Sequence, residues 1–112
     1  MSDERDVIDG EIFQELRKVM ATELENLVRA FILDGERRIQ TLREAAANPD
    51  PETFRETAHS FKGSSSNLGA TRLAKCCARL QETLPDDPQV PELLEELGRE
   101  FARACRALEG RL

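Results

Sequence analysis

The sequence has little aromatic content: it contains no tryptophan or tyrosine, and its five phenylalanines make up the whole 4%. Strands are usually rich in aromatic and β-branched residues. The residues that dominate here, Glu, Arg, Leu and Ala, favour helices instead. A chain of 112 residues is long enough for one domain with a modest core. The composition therefore predicts a single all-α domain.

Basic residues and long apolar runs are also scarce. Sixteen Lys and Arg stand against 22 Asp and Glu, for a net charge of −6, whereas nucleic-acid-binding domains normally carry a basic surface. The pair Arg37-Arg38 is predicted to lie on a solvated helix face. No apolar run is long enough to cross a membrane, and the acidic start MSDERDVID is unlike a signal peptide. We therefore expect a cytoplasmic protein that binds neither nucleic acid nor membranes.

Cysteine and histidine are too few for a disulfide framework or a metal site. The three cysteines are Cys76, Cys77 and Cys105, with no C-x-x-C pair, and there is one histidine. We expect the cysteines to be small apolar residues in a reducing compartment. The sequence predicts no metal site.

Apolar residues recur every three or four positions in five segments, which is the pattern of amphipathic helices. The first helix is predicted from Asp9, a suitable N-cap, to about Met20. The second is predicted to open at Thr22, with Glu25 as its capping-box partner, and to end at Asn48-Pro49. The two core stripes consist of Ile8, Ile12, Leu16 and Val19, and of Leu24, Val28, Phe31, Ile39, Leu42 and Ala46 with a break at Gly35.

Three further helices follow. The third is predicted from Asp50 as N-cap and Pro51 as first helical residue to about Leu68-Gly69. The fourth restarts at Ala70, and the fifth runs from about Pro91 to the end. Their core stripes consist of Phe54, Ala58, Phe61, Ser65 and Leu68, of Ala70, Leu73, Cys77, Leu80 and Leu84, and of Val90, Leu94, Leu97, Phe101, Ala104, Leu108 and Leu112.

Four long stripes joined by short connections predict an antiparallel four-helix bundle. The short first helix is expected to lie across one end. The domain is predicted to span residues 9–112, with residues 1–8 as a flexible N-terminus. The inward hydroxyl of Ser65 is expected to bond to a carbonyl of its own helix. A closed bundle with one exposed site predicts a monomer.

The only histidine lies in the third helix, within ETAHSFKGSSSNLGA at residues 56–70. On a helical wheel His59, Lys62, Gly63 and Ser66 lie opposite the core stripe, with Arg55 on the same ridge. A glycine within a helix costs about 1 kcal/mol relative to alanine, so Gly63 indicates that something must approach the imidazole closely. Lys62 can place its ammonium near an anion on the ring. This arrangement suits a nucleophilic imidazole that accepts a phosphoryl group.

The stretch AHSFKGSSSNLGA, residues 58–70, resembles the signature of histidine-containing phosphotransfer (HPt) domains: His, two residues, Lys-Gly, small residues, and Gly about ten positions after the His. The chain resembles the small stand-alone bacterial members over nearly its whole length, although outside the motif only the bundle layout is similar. The resemblance implies that His59 accepts the phosphoryl group, that Lys62 is an electrostatic helper, and that Gly63 provides clearance. It also draws attention to Gln81, because some bacterial members hydrogen-bond near the imidazole with a glutamine 22 residues after the His. A plain surface glutamine is the alternative.

The resemblance implies a phosphorelay intermediate, which is a phosphocarrier and not an autonomous kinase. His59 would take its phosphoryl group from the aspartate of a receiver domain, such as that of a hybrid sensor kinase, and pass it to the receiver of a response regulator. The Mg²⁺ that this transfer needs would lie in the receiver's acidic pocket, so the chain itself would hold no cofactor. The sequence also has no Gly-rich nucleotide loop. From helix phase, the candidates for docking are Phe13, Leu16, Met20, Arg55 and Ser66.

Two other classes of protein share some of these features. A non-catalytic helical adaptor would account for the apolar stripes but not for Gly63 beside an outward His59. The dimerisation domain of a histidine kinase also uses a helical histidine. It needs an attached ATP-binding domain, for which 112 residues leave no room.

Overall fold

A computed structural model of the chain describes residues 7–112, and helices account for most of this part. The elements are α1 (Gly10–Met20), a 3₁₀ turn (Ala21–Glu23), α2 (Leu24–Ala47), α3 (Pro51–Asn67), α4 (Thr71–Gln81) and α5 (Val90–Gly110). Helices α2 to α5 form an antiparallel four-helix bundle in which α3 packs against α2 and α4, and α5 packs against α4 and α2. The predicted fold class is confirmed. Within residues 7–112, no helix has the length and apolarity needed to cross a membrane.

The predicted N-caps of α1 and α3 are present. Asp9 Oδ1 accepts hydrogen bonds from the backbone N–H groups of Glu11 and Ile12, at 2.9 and 3.3 Å. Asp50 accepts from both the backbone N–H and the hydroxyl of Thr53, at 3.2 and 2.8 Å. Because these side chains satisfy donors that the first turn leaves free, they define where each helix begins.

The predicted start of the second helix at Thr22 is wrong. A 3₁₀ turn occupies Ala21–Glu23, and α2 begins at Leu24 without a side-chain cap. Ala21 has a positive φ of 42°, which turns the chain between α1 and α2. Because that turn takes up the residues of the proposed capping box, Thr22 is not placed to cap the helix.

The core is built around three aromatic rings from three different helices. Phe31, Phe61 and Phe101 lie with their ring centroids 5.8 to 6.3 Å apart, in tilted and edge-on pairs. The predicted inward side of α3 is confirmed, since Phe54, Ala58, Phe61, Ser65 and Leu68 are all buried. The side of α3 that faces solvent is therefore fixed by the packing of the opposite side.

Gly35 explains the break in the apolar stripe of α2. A Cβ atom at this position would lie 2.3 Å from Cε1 and 2.6 Å from Cζ of Phe101. The edge of the Phe101 ring thus occupies the space that a side chain would need. A glycine on α2 is required because a large ring on α5 packs against the helix backbone.

The predicted first core stripe is confirmed only in part: Ile8 is buried and Leu16 packs against the core, whereas its other two members are exposed. Val19 is 81% exposed and Ile12 is 37% exposed, whereas Phe13 is 2% exposed. The guanidinium groups of Arg17 and Arg111 both lie over the Phe13 ring, 5.5 and 5.9 Å from its centroid. Burying this large ring rotates α1 by one position and turns the two aliphatic side chains outward.

Three other predicted core positions are also shifted. Leu84 is 64% exposed because α4 ends at Gln81 and the leucine lies in the following loop. Ala45 replaces Ala46 as the fully buried alanine near the end of α2, and Leu112 is half-exposed. The predicted flexible segment 1–8 lies mostly outside the described residues, and Val7 and Ile8 at its end are buried.

Two polar side chains are buried in the bundle, Ser65 and Glu100. Glu100 Oε1 accepts hydrogen bonds from Arg72 and Arg103, at 2.8 and 2.7 Å, so this buried charge is paired. Ser65 Oγ does not make the predicted bond to a helical carbonyl. The neighbouring Ser64 makes such a bond instead, to the Phe61 carbonyl at 3.2 Å.

Candidate functional site

The outward face of α3 carries the candidate site. His59, Gly63, Ser66 and Arg55 are exposed, and Lys62 is half-buried. These are the positions that the helical wheel placed opposite the core. The predicted orientation is therefore confirmed, and the chemical roles of the side chains remain predictions.

The imidazole of His59 is presented on a rigid part of the helix. Its neighbours Ala58 and Phe61 are fully buried, and Phe61 belongs to the aromatic cluster of the core. Asp50 holds the beginning of α3, and Gly69 with its φ of +78° turns the chain sharply after its end. The backbone that carries the imidazole is thus anchored on its inner side and at both ends.

Gly63 leaves open space beside the imidazole. A Cβ atom built on Gly63 would meet no atom within 4 Å, in contrast to Gly35, where it would enter the Phe101 ring. Nothing in the fold of this chain therefore requires a glycine at position 63. The open space at Gly63 is consistent with the other explanation, in which a second molecule must approach the imidazole closely.

The side chains of His59 and Lys62 have no hydrogen bond or ion pair with any other residue in the described part of the chain. No neighbouring group restricts which ring nitrogen of His59 carries the proton. The ammonium of Lys62, one turn further along α3, is likewise free to pair with an incoming anion. The site consists of an exposed imidazole, an ammonium group and open space.

Gln81 is the last residue of α4 and is half-buried. Helix α4 packs against α3, which carries His59. The Oε1 atom of Gln81 is buried and has no hydrogen-bond partner within residues 7–112. The structure thus shows no hydrogen bond between Gln81 and the imidazole.

The candidate docking residues do not all lie at the surface. Phe13 is buried, with two guanidinium groups over its ring, and cannot form part of an exposed patch, so this prediction is wrong. Leu16 and Met20 are half-buried on α1. Leu16 lines a groove of about 410 Å³ that continues along α2 and α3 as far as Arg38 and Ser64. This groove brings an apolar surface to the side of α3 that carries the site.

The profile of the Hpt domain family matches residues 26–110 of the chain. The chain belongs to the Hpt domain family. It is similar to the crystal structure of histidine-containing phosphotransfer protein B (HptB) from Pseudomonas aeruginosa PAO1, with a TM-score of 0.89 and 36% sequence identity over 94% of this chain and 93% of that chain. A comparison with curated proteins found no match. The family resemblance inferred from residues 58–70 is confirmed.

The prediction that Arg37-Arg38 is merely solvated is wrong for one residue of this Hpt domain. Arg38 is half-buried and donates hydrogen bonds to Ser64 Oγ at 3.0 Å and Ser60 Oγ at 3.3 Å, whereas Arg37 is 80% exposed. Arg38 directly precedes Ile39 of the core stripe, which places it at the edge of that stripe. This position was the available signal in the sequence.

The cysteines of the Hpt domain are free thiols, and they lie away from the outward face of α3. Burial raises the pKa of Cys76 and Cys77 to about 12 and that of Cys105 to about 11, since an apolar environment disfavours the thiolate. The Ser65 hydroxyl faces Cys77 and lowers the pKa of that thiol by less than burial raises it. Within residues 7–112, no group of three or more His, Cys, Asp or Glu side chains could hold a metal ion.

Proposed function

We propose that this Hpt domain is a phosphorelay intermediate in which His59 accepts a phosphoryl group from a receiver-domain aspartate and passes it to the receiver of a response regulator. The observation that carries the proposal is an exposed, unbonded imidazole beside an open Gly63, on the outward face of α3 in a member of this family. The similarity to a histidine-containing phosphotransfer protein supports the same proposal.

The transfer needs only a nucleophile and charge compensation from this chain. The lone pair of one imidazole nitrogen forms the P–N bond while the P–O bond to the aspartate breaks, and the bonding electrons return to the carboxylate. Lys62 offsets negative charge on the phosphoryl oxygens during transfer. The Mg²⁺ for the reaction belongs to the acidic pocket of the receiver, and the chain acts as a carrier without kinase activity of its own.

Docking of the receiver would be transient and would cover the outward face of α3. Arg55 and Ser66 lie on that face, and Leu16 and Met20 extend the surface along α1. The net charge of −6 makes association with different receivers sensitive to their surface charge. We expect the protein to act as a monomer.

The test is a phosphotransfer profile against every purified receiver domain of the source organism, each phosphorylated with a radiolabelled donor. We expect label to move to the wild-type protein from at least one receiver. Because the chain contains a single histidine, any label stable to base and labile to acid identifies His59. The variant His59→Gln should take up none. Absence of transfer to the wild type, or transfer to the variant, would leave a non-catalytic adaptor as the better explanation.

The role of Gly63 is tested with two variants of the same residue. Gly63→Gln should block transfer because the longer side chain fills the approach to the imidazole, while the circular dichroism spectrum stays helical. Gly63→Ala introduces only a Cβ atom, which meets nothing in the fold, and serves as the control for changing the backbone preference. Near-normal transfer by Gly63→Gln would contradict the clearance argument.

A further inference from the structure

Arg38 reaches across from α2 to the side of α3 that carries the proposed site. Its Nη1 and Nη2 atoms donate to Ser64 Oγ at 3.0 Å and to Ser60 Oγ at 3.3 Å, and its guanidinium lies 6.0 Å from the centroid of the Phe61 ring. Ser60 directly follows His59 along the helix. The guanidinium is therefore held in a defined place beside the site and does not swing freely in solvent.

Arg38 forms no ion pair within the described residues, and its hydrogen bonds go to neutral hydroxyls. The carboxylate of Asp34 lines the same groove but pairs with Arg37 instead. The adjacent Arg37 pairs with Asp34 at 3.9 Å, and Arg29 pairs with Glu25 at 2.6 Å. A half-buried guanidinium without a counter-charge is a ready partner for an external anion.

Helical geometry separates this cation from the proposed nucleophile. Ser60 and Ser64 lie about 100° and 140° around α3 from His59, so the guanidinium between them is about 10 Å from the imidazole. Gly63 lies between the two, and Lys62 lies on the opposite side of His59. At this distance Arg38 cannot hold a phosphoryl group bonded to the imidazole. It can contact a molecule that lies over Gly63 and reaches the imidazole.

We infer that Arg38 is a recognition residue that binds a carboxylate of the docked receiver domain, about one side chain's length from the transfer site. The inference rests on the proposed function, because the receiver is the molecule that must cover Gly63. The planar, two-pronged guanidinium matches a carboxylate, and Arg38 lies at the end of the groove that an approaching partner would cover. In the free protein, Ser60 and Ser64 keep the guanidinium in position.

The test measures transfer rate against concentration of the receiver that exchanges fastest with the wild-type protein. For Arg38→Gln we expect the half-saturating receiver concentration to rise about fivefold to twentyfold at low salt, with the maximal rate unchanged. The matched control Arg37→Gln removes the same charge one residue away and should stay within about twofold of wild type. Arg38→Lys should recover part of the loss. In about 0.5 M salt, wild type and Arg38→Gln should converge, because screening weakens the charge pair.

A second control separates recognition from a structural role. The double variant Ser60→Ala and Ser64→Ala removes the same hydrogen bonds between α2 and α3 but keeps the charge, so we expect near-wild-type half-saturation from it. If it fails as Arg38→Gln does, or if Arg38→Gln and Arg37→Gln behave alike, the inference about Arg38 is overturned while the proposed function stands. If no receiver transfers its phosphoryl group to the wild-type protein, the proposed function and the inference both fall.

Discussion

Two substitutions of glycine by alanine, at positions 63 and 35, should change the stability of this Hpt domain in opposite directions. Both glycines lie inside helices, so each substitution gains up to about 1 kcal/mol from the better helix propensity of alanine. At position 63 the added Cβ meets nothing within 4 Å. The full gain should remain, and Gly63→Ala should raise the free energy of unfolding by about 0.5 to 1 kcal/mol.

At position 35 the same methyl group meets the Phe101 ring. Its Cβ would lie 2.3 Å from Cε1, whereas carbon atoms prefer a separation of about 3.5 to 4 Å, so the ring must move by more than about 1 Å. The ring is held between Phe31 and Phe61, with centroids 6.0 and 5.8 Å away. Overpacking of a close-packed core costs about 1 to 3 kcal/mol. After subtracting a propensity gain of about 1 kcal/mol, Gly35→Ala should lower the free energy of unfolding by up to about 2 kcal/mol.

The assay is urea unfolding followed by circular dichroism, with the free energy extrapolated to water and the m-value required to stay constant. Gly98→Ala is a matched control, because its Cβ would make only an ordinary contact of 3.9 Å with Arg43. It should behave like Gly63→Ala. In the background of Gly35→Ala, the change Phe101→Leu should be less damaging than in the wild type. Equal stability of Gly35→Ala and Gly63→Ala would show that the ring yields easily, and this would refute the reasoning.

The remaining predictions concern charge and ionisation. Lys62→Ala should slow phosphoryl transfer to His59 by about threefold to tenfold, and Lys62→Arg should retain most of the rate; equal rates for all three proteins would remove the electrostatic role. The hydrogen bonds from the hydroxyl and the backbone N–H of Thr53 lower the pKa of Asp50 below its usual 3.8. Its cap should therefore stabilise the fold fully above that pH and lose its effect as the pH falls through the lowered pKa. The unfolding free energy of Asp50→Asn, measured against pH, should lack the part of the acid-induced decrease that protonation of Asp50 causes in the wild type. Parallel pH curves for the wild type and the variant would contradict this prediction. All three thiols should react slowly with iodoacetamide at pH 8, with Cys105 modified first, because its pKa is raised only to about 11 and those of the other two to about 12. Rapid labelling of Cys77 in the folded protein would show that the bundle opens readily.

The orientation of α3 could be predicted because it depends on a regular local pattern. Its inward residues repeat at helical spacing, and Asp50 with Pro51 marks its start. The phase of such a helix follows from burial alone. The same reasoning placed His59 and Gly63 outward, and the motif around them was enough to identify the family. The part of the site that lies on one helix was therefore readable from one segment of sequence.

The features that could not be predicted depend on contacts between distant segments. The buried position of Phe13 requires Arg111 at the other end of the chain, and the need for Gly35 comes from Phe101 on α5. The position of Arg38 at the edge of the core stripe indicates partial burial, but its hydrogen bonds to Ser60 and Ser64 on α3 become evident only in the structure. A periodic pattern shows which side of a helix is buried on average. It does not show which neighbour each side chain meets.

The attachment of α1 uses few side chains. The backbone N–H of Asp9 donates to the Gly69 carbonyl at 2.7 Å, and the buried Phe13 ring packs against two guanidinium groups. A hydrogen bond between main-chain groups does not depend on the side chains of the two residues. The exposed side chains of α1, including Ile12 and Val19, can therefore change in evolution without weakening the attachment of α1 to the bundle. Under the proposed function, substitutions on this one surface would change which receivers dock, while the helix that bears the histidine stays as it is.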